Sequence, residues 1–561
     1  MPSIAHLSSF NTPRRASLAQ GLAPLLWLPQ AALLAWAVQQ LSEGEGFVAM
    51  LAPAGAILLL GAMRAFCEAW GARRMFVTAR ARLSELRAQV ATSLCARSPL
   101  DRTRPESGLA ASVIAEQAEA VVPYLVRYRL ARWRATVLPL VILAVVASLS
   151  WVAALVLLFA APLIPMFMAL VGWRSRAASE AQMVEMGSMN AFLLDRLRGL
   201  ATVRALGAVE ATSRRVFDAA QSLRERTMAV LRIAFLSSAV LELFSALGVA
   251  MVAVYVGFHL LGTLEFGAWG RQLSLGEGLF ILLLAPAFFE PLRELSSVWH
   301  DRAAGEAALE SLGRLARGGV RLPGANAVAQ PGAPVEGHHA GNAPTVQIHG
   351  LHFGHPGEAA FFDGLELRVR AGEHVALMGP SGAGKTALLS VIAGLVPATR
   401  GDIKIGGVLL CDRTVSTLRA RIAWMGQRPH VFAGSVQANV ALGRPGVRGV
   451  KSVAAAMNFA ELRSVAQADP GVALGEGGTG LSGGEVARLA LARIALCAEA
   501  DLLLVDEPTA HLDTATARRV TDALIELARG KTLIMATHDL VLAARCDRVI
   551  RLDALPLKAA A

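Results

Sequence analysis

The stretch "EHVALMGPSGAGKTALLSVIAGL", residues 373–395, joins an apolar strand pattern, a glycine-rich loop and a helical pattern in direct succession. The loop fits G-x-x-x-x-G-K-[ST], in which spaced glycines let backbone N–H groups surround phosphate oxygens. Lys385 is expected to reach the terminal phosphates as a point charge, and Thr386 to offer its hydroxyl to Mg²⁺. The alternative is a glycine-rich turn with a surface lysine. The strand and helix on either side favour a nucleotide-phosphate site made by Gly379, Pro380, Ser381, Gly382, Ala383, Gly384, Lys385 and Thr386.

Two acidic residues end another apolar run, "DLLLVDEPTAHLD", residues 501–513. A buried strand of this kind delivers its last side chains to the edge of a sheet where a bound nucleotide lies. Asp506 is predicted to hold Mg²⁺ through water, and Glu507 to polarise the attacking water. The alternative is that both acids only cap the turn that follows.

Two further polar residues follow apolar runs of the strand type. Gln427 comes after "RIAWMG" and is predicted to contact Mg²⁺ and to report the γ-phosphate. His538 ends "TLIMATHD" and is predicted to donate a hydrogen bond to the γ-phosphate. Taken singly, a loop glutamine is usually solvated, and a histidine at a strand end is usually structural. We therefore predict Glu507, His538 and Gln427 as the catalytic set, with Thr386, Gln427 and Asp506 at the metal.

Residues 345–555 alternate short apolar runs with helical patterns, which is typical of a largely parallel sheet flanked by helices. The preceding residues 316–344 lack periodicity and are rich in glycine, proline and alanine, as a flexible linker is. Residues 556–561 form a short tail. The sequence therefore predicts an α/β nucleotide-binding domain behind a linker.

The composition of the chain excludes an ordinary soluble enzyme. It has 561 residues, of which 54% are apolar and only 17% are charged. The formal net charge of +11 would suit nucleic acid, but the excess arginines crowd beside apolar runs, which is the positive-inside pattern of membrane proteins. A soluble ATPase that acts on DNA or ribosomes is the alternative, and the long apolar runs oppose it.

Six apolar stretches approach or exceed the roughly 20 residues that cross a bilayer. They lie at 19–41, 47–68, 135–149, 151–172, 231–261 and 275–293. The third is short, so we extend it toward Arg127 as a helix that continues into the cytoplasm. Residues 71–134 hold twelve arginines and five acids, whereas the turn between the first two spans is acidic. Residues 1–315 are thus predicted to form a membrane domain with an uncleaved first span and both ends in the cytoplasm.

The five cysteines show no C-x-x-C pair and no metal-ligand spacing. None falls in a segment placed outside the membrane, so a disulfide framework is not expected. They are predicted to be reduced thiols.

A second phosphate-binding pattern, "LSGGEVARLALARIAL" at residues 481–496, puts adjacent glycines at the start of a helix. Together with the other blocks and their order, it resembles the signature of the ATP-binding cassette (ABC) family. The resemblance implies two cassettes facing head to tail, with each ATP between the loop of one and the signature of the other. Ser482, Gly483 and Gly484 would then hold the partner's nucleotide, and Asp513 would lie in the loop that links the two sites.

Two positions depart from the common ABC pattern. His355 stands where many cassettes have a tyrosine that stacks on adenine, which implies weaker stacking. Glu485 ends the signature where glutamine is usual, which adds a negative charge near the phosphate-holding residues. Every hydrolytic group is present, so the site on Lys385 is expected to turn over ATP.

Six spans ahead of one cassette are similar to the exporter type of ABC half-transporter. The implied fold is an exporter-type helical membrane domain fused to an α/β P-loop NTPase cassette, in the bacterial inner membrane. In such exporters short coupling helices at the tips of the intracellular loops contact the cassettes. By position we expect them near Ser112–Ala120 and Ala208–Ala219.

Three membrane-half segments narrow the resemblance: "APLIPMFMALVG" (161–172), "FLLDRLRGLATVRALGAVEA" (192–211) and "FFEPLRELSSVWHDRAAGEAALESL" (288–312). They look like the CydD-type subunits of heterodimeric thiol-reductant exporters linked to cytochrome bd assembly. This resemblance implies a CydC-like half-transporter as partner and ATP-driven export of cysteine or glutathione to the periplasm. The alternatives are haem transport and homodimeric export of lipid, peptide or drug. A regulatory subunit that does not hydrolyse ATP is a further possibility, and the presence of Glu507 and His538 argues against it.

Ionisable residues inside spans are costly and suggest function. Arg64, Glu242, Glu290 and Arg293 are the candidates for a cargo site, and a cavity with both signs of charge would suit a zwitterionic amino acid or an anionic tripeptide. The alternative pairs Glu290 with Arg293 along one helix and lets Arg64 reach the cytoplasmic surface. His259 and His300 are candidate haem ligands, or else interfacial residues.

Overall fold

The computed structural model describes residues 14–105, 107–162, 166, 185–186, 189, 192–193, 195–197, 199–325, 343–354, 358, 360–443, 450–462, 473–474, 481–497 and 499–552. The chain divides into two compact units. The first, the membrane unit, comprises Met1–Val90 and Glu106–Ala316, and the second, the cassette unit, comprises Ala91–Pro105 and Arg317–Ala561.

The described N-terminal part of the chain is mostly helical, with turns and loops between the helices. Its helices are α1 Arg14–Leu22, α2 Trp27–Ser42, α3 Leu51–Cys95, α4 Ser107–Ala115, α5 Val121–Pro123, α6 Arg129–Leu149, α7 Trp151–Ala160, α8 Leu200–Ala205, α9 Val209–Leu260, α10 Leu275–Ser297 and α11 Trp299–Ala316. Short 3₁₀ turns cover Ala23–Leu26, Phe47–Met50 and Gln117–Ala120, and one π-helical turn covers Tyr124–Tyr128.

Five of these helical stretches are long and apolar enough to cross a membrane. They are Arg15–Ser42, Leu51–Cys95, Ser107–Leu149, Ala239–Leu260 and Leu275–Ala316. They coincide with five of the six predicted spans, and the third continues past Arg127 as expected. The predicted fourth span is described as helix only over Trp151–Ala160, and most of its remainder lies outside the described residues.

Two helices run far beyond the thickness of a bilayer. At 1.5 Å per residue, the 45 residues of α3 and the 52 residues of α9 extend about 68 and 78 Å. A hydrocarbon core is only about 30 Å thick, so both must continue well outside it. The polar stretches 71–90 and 209–230 therefore form extended helix rather than loop.

The core of the membrane unit forms around α10, which contacts α2, α6 and α9. Phe288 and Phe289 are fully buried there with their rings edge to face. Ser274 caps the start of α10, since its hydroxyl accepts the N–H of Glu277 while the Glu277 carboxylate accepts the N–H of Ser274. This cap fixes where the last span begins.

The strands of the cassette unit are β1 Val346–Phe353, β2 Phe362–Val369, β3 His374–Met378, β4 Arg400–Ile405, β5 Val408–Leu409, β6 Ile422–Met425, β7 Gly434–Ser435, β8 Ala473–Leu474, β9 Leu502–Asp506, β10 Thr532–Ala536 and β11 Arg548–Arg551. Its helices are α12 Lys385–Ile392, α13 Val415–Ala420, α14 Val436–Ala441, α15 Val450–Phe459, α16 Gly483–Ala495, α17 Thr514–Ala528 and α18 Leu540–Ala543.

The central sheet has the order β11-β3-β10-β9-β6, and all its neighbouring strands are parallel. Every residue of β9 and β10 is buried, because helices cover both faces of such a sheet. A second sheet, β2-β1-β4-β5, is antiparallel. The sequence prediction gave only the parallel layer and missed the antiparallel sheet. Strands β1 and β2 of that sheet have the alternating burial of strands covered on one side, not the continuous apolar runs of the central sheet.

Residues Ala91–Pro105 belong to the cassette unit although both flanking segments belong to the membrane unit. A short ladder joins this segment to the start of the linker: the Ser98 N–H donates to Val320 O at 2.8 Å, and the Leu322 N–H donates to Ala96 O at 2.9 Å. The Ser98 hydroxyl donates to Leu395 O at 2.6 Å. The segment between the second and third spans that bonds to the cassette unit thus lies earlier in the chain than the predicted coupling helix at Ser112–Ala120.

Candidate nucleotide site

The glycine-rich loop connects the C-terminal end of β3 to the first residue of α12, as the sequence predicts. Gly384 caps the helix with φ of +84°, and a Cβ there would lie 2.8 Å from Cζ of Phe362, so only glycine fits. Lys385 is 8% exposed, and its Nζ donates to Gly379 O at 2.8 Å and to Pro380 O at 3.0 Å. The ammonium group is therefore held against the loop that would surround the phosphates.

Thr386 and Asp506, 120 residues apart, are in direct contact. The Thr386 hydroxyl donates to Oδ2 of Asp506 at 2.7 Å. Asp506 is 1% exposed, and this burial raises the pKa of its carboxyl; the Thr386 hydrogen bond and Lys385 oppose the shift, while Glu507 adds to it. A hydroxyl and a carboxylate held side by side are the oxygen donors that Mg²⁺ prefers, so the residues present fit that ion.

Three of the predicted catalytic residues form one cluster at the C-terminal ends of β6, β9 and β10. The Gln427 amide donates to Oε2 of Glu507 at 2.9 Å, and Nδ1 of His538 lies 3.6 Å from Oε1 of Glu507. The Glu507 backbone has φ of +47°, unusual for a residue with a side chain, and its N–H donates to Ala536 O at 2.9 Å. Neighbouring strands thus fix the position of this carboxylate.

The signature begins helix α16 with a complete capping box. The Ser482 hydroxyl accepts the N–H of Glu485, and the Glu485 carboxylate accepts the N–H of Ser482 at 2.7 Å. Glutamate therefore performs the reciprocal cap as well as glutamine would, but it places a full negative charge in the first helical turn. The charge lies where an anion bound at this helix terminus would meet it.

The signature helix is linked to Asp513 through a residue that the sequence reasoning missed, Thr516. The Asp513 carboxylate caps α17 by accepting the N–H groups of Ala515 and Thr516 at 3.0 Å. The Thr516 side chain in turn lies against Gly484, where a Cβ would come within 2.9 Å of its methyl carbon. The recognisable signal was the spacing of Asp513 and Thr516, which matches an N-cap and its third helical residue.

Other predicted residues lie apart from these clusters or outside the described chain. His355 is not among the described residues. His259 is 1% exposed and neither ring nitrogen has a hydrogen-bond partner among the described residues, whereas His300 is exposed. Within the described residues no group of three His, Cys, Asp or Glu side chains could hold a metal ion. The structure has all five cysteines free.

Ion pairs involve three of the four charged residues proposed for the spans. Arg64 pairs with Glu68 one turn further along α3 at 3.3 Å, and Arg293 pairs with Glu290 on α10. The latter contact is the i, i+3 pair that was the alternative to a cargo site. Glu242 is exposed on α9. The first pair lines a cavity that is described below.

Two family models match the chain. The ABC transporter model matches residues 362–510, and the ABC transporter transmembrane region matches residues 49–292. The chain is 35% identical over 456 residues to the glutathione/L-cysteine transport system ATP-binding/permease protein CydD of Haemophilus influenzae, which covers 80% of this chain and 75% of that protein. It is 33% identical over 539 residues to the transport ATP-binding protein AarD of Providencia stuartii, covering 95% and 90% of the two chains.

A solved structure, of a bacterial Atm1-family ABC exporter with ATP bound, has the same fold. It matches with a TM-score of 0.72 and covers 97% of this chain and 94% of its own. Its sequence identity is 23%, so the likeness concerns the fold alone.

Proposed function

Since the chain belongs to the ABC exporter half-transporters and is CydD-like, we propose that it exports small thiols of the cysteine and glutathione class from the cytoplasm to the periplasm. It is a multi-pass membrane protein in which ATP hydrolysis is coupled to transport. The proposal adds an inner-membrane location with both termini cytoplasmic, a heterodimer with a CydC-like partner and a role in cytochrome bd assembly.

The proposed ATP site is built on the glycine-rich loop. Lys385, already held against the carbonyls of Gly379 and Pro380, is suited to neutralise the terminal phosphates. Thr386 and Asp506 would hold Mg²⁺, with Gln427 nearby, and His355 would contact the adenine. The ion would supply charge neutralisation between the phosphates. The Asp506 carboxyl, buried and bonded to Thr386, is preorganised for this role.

Glu507 is the proposed catalytic base, and its geometry is the observation that carries the ATPase assignment. Gln427 and His538, on separate loops, both face the Glu507 carboxylate. Phosphoryl transfer needs mainly an oriented nucleophile and neutralised charge, and this cluster can position water at one carboxylate oxygen. His538, 66% exposed, remains accessible to donate to a phosphate.

The second cluster supports the dimer in this proposal, and the resemblance to CydD-type relatives supports a partner of a different kind. Ser482, Gly483 and Gly484 start helix α16, and a helix N-terminus attracts phosphate. They would cover ATP held by the partner's loop, while Asp513 would connect the two composite sites. A single cassette has one loop and one signature, so two half-transporters complete two sites.

The cargo proposal rests on the names of the relatives and on one feature of this chain, the mixed charges in its spans. Neither the described residues nor the relatives' names point to haem. The experiment that tests the cargo is uptake into inverted membrane vesicles that contain this chain and its CydC-like partner. Labelled cysteine, glutathione and haem are offered separately, with ATP or with a non-hydrolysable analogue.

We expect ATP-dependent uptake of cysteine, glutathione or both, and none of haem. The matched control is the same pair with Lys385→Ala, which removes the ammonium group at the phosphates. ATP-driven accumulation of haem alone, or of neither thiol under conditions where the pair hydrolyses ATP, would contradict the thiol proposal. Full ATPase and transport by this chain without a partner would contradict the heterodimer.

A further inference from the structure

The membrane unit contains a cavity of about 650 Å³ between its first, second, third and last spans. Most of the lining is apolar, with Trp27 and prolines of α10. Five ionisable side chains also line it: Arg64, Glu68, Arg134, Glu290 and Glu294. A volume of this size suits a small molecule, since ligand pockets commonly enclose about 300–1,000 Å³.

Charges in this position are unlike those of a surface that faces lipid. An ionisable group turned toward hydrocarbon is costly, so charged residues in spans normally face the interior of the bundle and pair with one another. Here Arg64 pairs with Glu68 at 3.3 Å, and Arg134 of α6 reaches Glu294 of α10 at 3.4 Å. The cavity thus presents both signs of charge within an apolar wall, which argues for a polar ligand.

The charged residues also lie at a common depth. Counted from the helix ends on one side of the membrane, Arg64 is 13 residues into α3, Arg134 is 15 from the end of α6, and Glu290 is 15 into α10. At 1.5 Å per residue these positions are about 20–23 Å from that side. With the termini in the cytoplasm, the cavity lies in the cytoplasmic half of the spans, where an exporter meets its cargo.

Arg134 retains hydrogen-bonding capacity although its side chain is only 12% exposed. One terminal nitrogen donates to Gln20 O at 2.6 Å, and the other lies 3.4 Å from both oxygens of Glu294. Its Nε is buried and has no hydrogen-bond partner among the described residues. A guanidinium has five N–H donors, so Arg134, which lines the cavity, has terminal N–H groups left for a carboxylate besides those that contact Gln20 O and Glu294.

We infer that this cavity binds a free α-amino acid zwitterion, with the carboxylate at Arg64 and Arg134 and the ammonium at Glu290 and Glu294. The lining carries two arginines and three glutamates. If Arg293, the ion-pair partner of Glu290, is included, positive and negative charges are equal in number. A neutral zwitterion leaves that balance unchanged, whereas a tripeptide with an extra carboxylate adds uncompensated negative charge. The inference rests on the proposed function and selects cysteine over glutathione as the ligand of this site.

The test measures binding of labelled L-cysteine, under reducing conditions, to the complete transporter in lipid nanodiscs. Unlabelled competitors remove one group at a time: L-serine lacks the thiol, cysteamine lacks the carboxylate, and 3-mercaptopropionate lacks the ammonium. We expect serine to compete with cysteine, whereas cysteamine, 3-mercaptopropionate and glutathione each compete at least about tenfold more weakly, as loss of a charge pair predicts.

Arg64→Gln and Glu290→Gln are each expected to weaken cysteine binding at least about tenfold, for the same reason. The matched control is Arg214→Gln, which breaks the i, i+4 pair with Glu210 on the exposed part of α9. It should bind cysteine as the unchanged protein does. Elution as a single species in size-exclusion chromatography, with an unchanged Tm, shows that each variant is folded.

Two results overturn the inference: both cavity variants bind cysteine normally, or the two truncated thiols compete as well as cysteine does. If both variants still take up thiol into vesicles with an unchanged KM, the proposed binding site in the cavity is also wrong, while the proposed function stands. A different outcome separates the two proposals: the transporter moves neither thiol, serine binds to the unchanged protein, and serine binding is lost in both variants. In that case the thiol proposal fails, whereas the proposed amino-acid site in the cavity stands.

Discussion

Glu507, the proposed catalytic base, has a strained backbone. Its φ of +47° is of a kind that costs of order 1–3 kcal/mol for a residue with a side chain and persists only where the surroundings enforce it. Here the enforcing contacts are its own N–H on Ala536 O and the Gln427 amide on its carboxylate. The strain aims the carboxylate at the place where water would attack.

Glu507→Gln should therefore preserve ATP binding and abolish most turnover at the site on Lys385. The amide keeps the size of the side chain but cannot accept a proton from water, and loss of a general base costs about 100-fold or more. Single-turnover hydrolysis of bound ATP at this site measures the effect. Glu366→Gln, a change at an exposed residue of β2 bonded to the Gly350 N–H, is the control and should be neutral. Undiminished turnover at this site would exclude Glu507 as the base.

Glu485 is a second residue whose charge matters beyond its own helix. Its carboxylate completes the capping box of α16, and glutamine can accept the same N–H of Ser482 without the charge. Glu485→Gln should thus tighten ATP binding at the partner's loop by about two- to fivefold, the size of a charge effect at a helix N-terminus. ATP titration of a pair that also carries Lys385→Ala, which removes the ammonium group from this chain's own loop, isolates that site. Weaker binding in the variant would contradict this view of the signature.

At the scale of elements, the contact between helices α16 and α17 sets the position of the signature. Gly484 faces the Thr516 methyl group so closely that a Cβ would lie 2.9 Å from it, whereas a Cβ on Gly483 would be 4.0 Å from Leu512. The first turn of α17, which Asp513 caps, therefore packs against the N-terminal end of α16.

Gly484→Ala should lower the Tm of the cassette by about 2–8 °C, because overpacking of this kind costs about 1–3 kcal/mol. Gly483→Ala, at the neighbouring position with more room, is the matched control and should change Tm little. Thr516→Ser removes the obstructing methyl, so the double variant Gly484→Ala with Thr516→Ser should recover most of the loss. Thermal unfolding of the full chain in detergent measures all four. Equal destabilisation by both alanines would show that the close contact is unimportant.

The sequence predicted those elements whose chemistry is local. The strand, loop and helix at 373–395 occur where expected, and Gln427, Glu507 and His538 meet because each ends a strand of one parallel sheet. The predicted fold class, a helical exporter domain fused to an ABC cassette, is confirmed. Contacts between distant segments, such as Thr516 on Gly484 or Arg134 on Glu294, depend on how helices pack, which periodicity alone does not specify.

For the whole molecule, one segment within the N-terminal part of the chain belongs to the cassette unit and not to the membrane unit. Ala91–Pro105 includes the last five residues of helix α3, yet it belongs to the cassette unit. The motif-based prediction missed it because "ARSPLDRTRP" has no helical or strand period. Its backbone instead bonds to Val320 and Leu322, and the Ser98 hydroxyl donates to Leu395 O. A displacement of the cassette unit would pull on the second span through this covalent continuity.

Asp101 is central to that segment and mostly buried. Its carboxylate accepts the hydroxyl and N–H of Thr103 and the N–H of Val320. Burial alone would raise the pKa of Asp101, but these hydrogen bonds and the nearby Arg97 outweigh it and lower the pKa below the ordinary value. The contribution of the ionised form is therefore present at neutral pH and is lost only as the pH falls through this lowered pKa.

Asp101→Ala should lower the number of cargo molecules moved per ATP severalfold while leaving ATPase activity largely intact. The substitution releases the linker N–H at Val320 and frees the loop after α3, so cassette motion would be transmitted less completely to the second span. Asp412→Ala is the matched control, because its carboxylate also accepts a linker N–H, that of Gly324 at 2.8 Å, but it does not belong to the loop. Paired measurement of vesicle uptake and phosphate release gives the ratio for each variant. An unchanged ratio in Asp101→Ala, or an equal fall in both variants, would show that this loop does not carry the coupling.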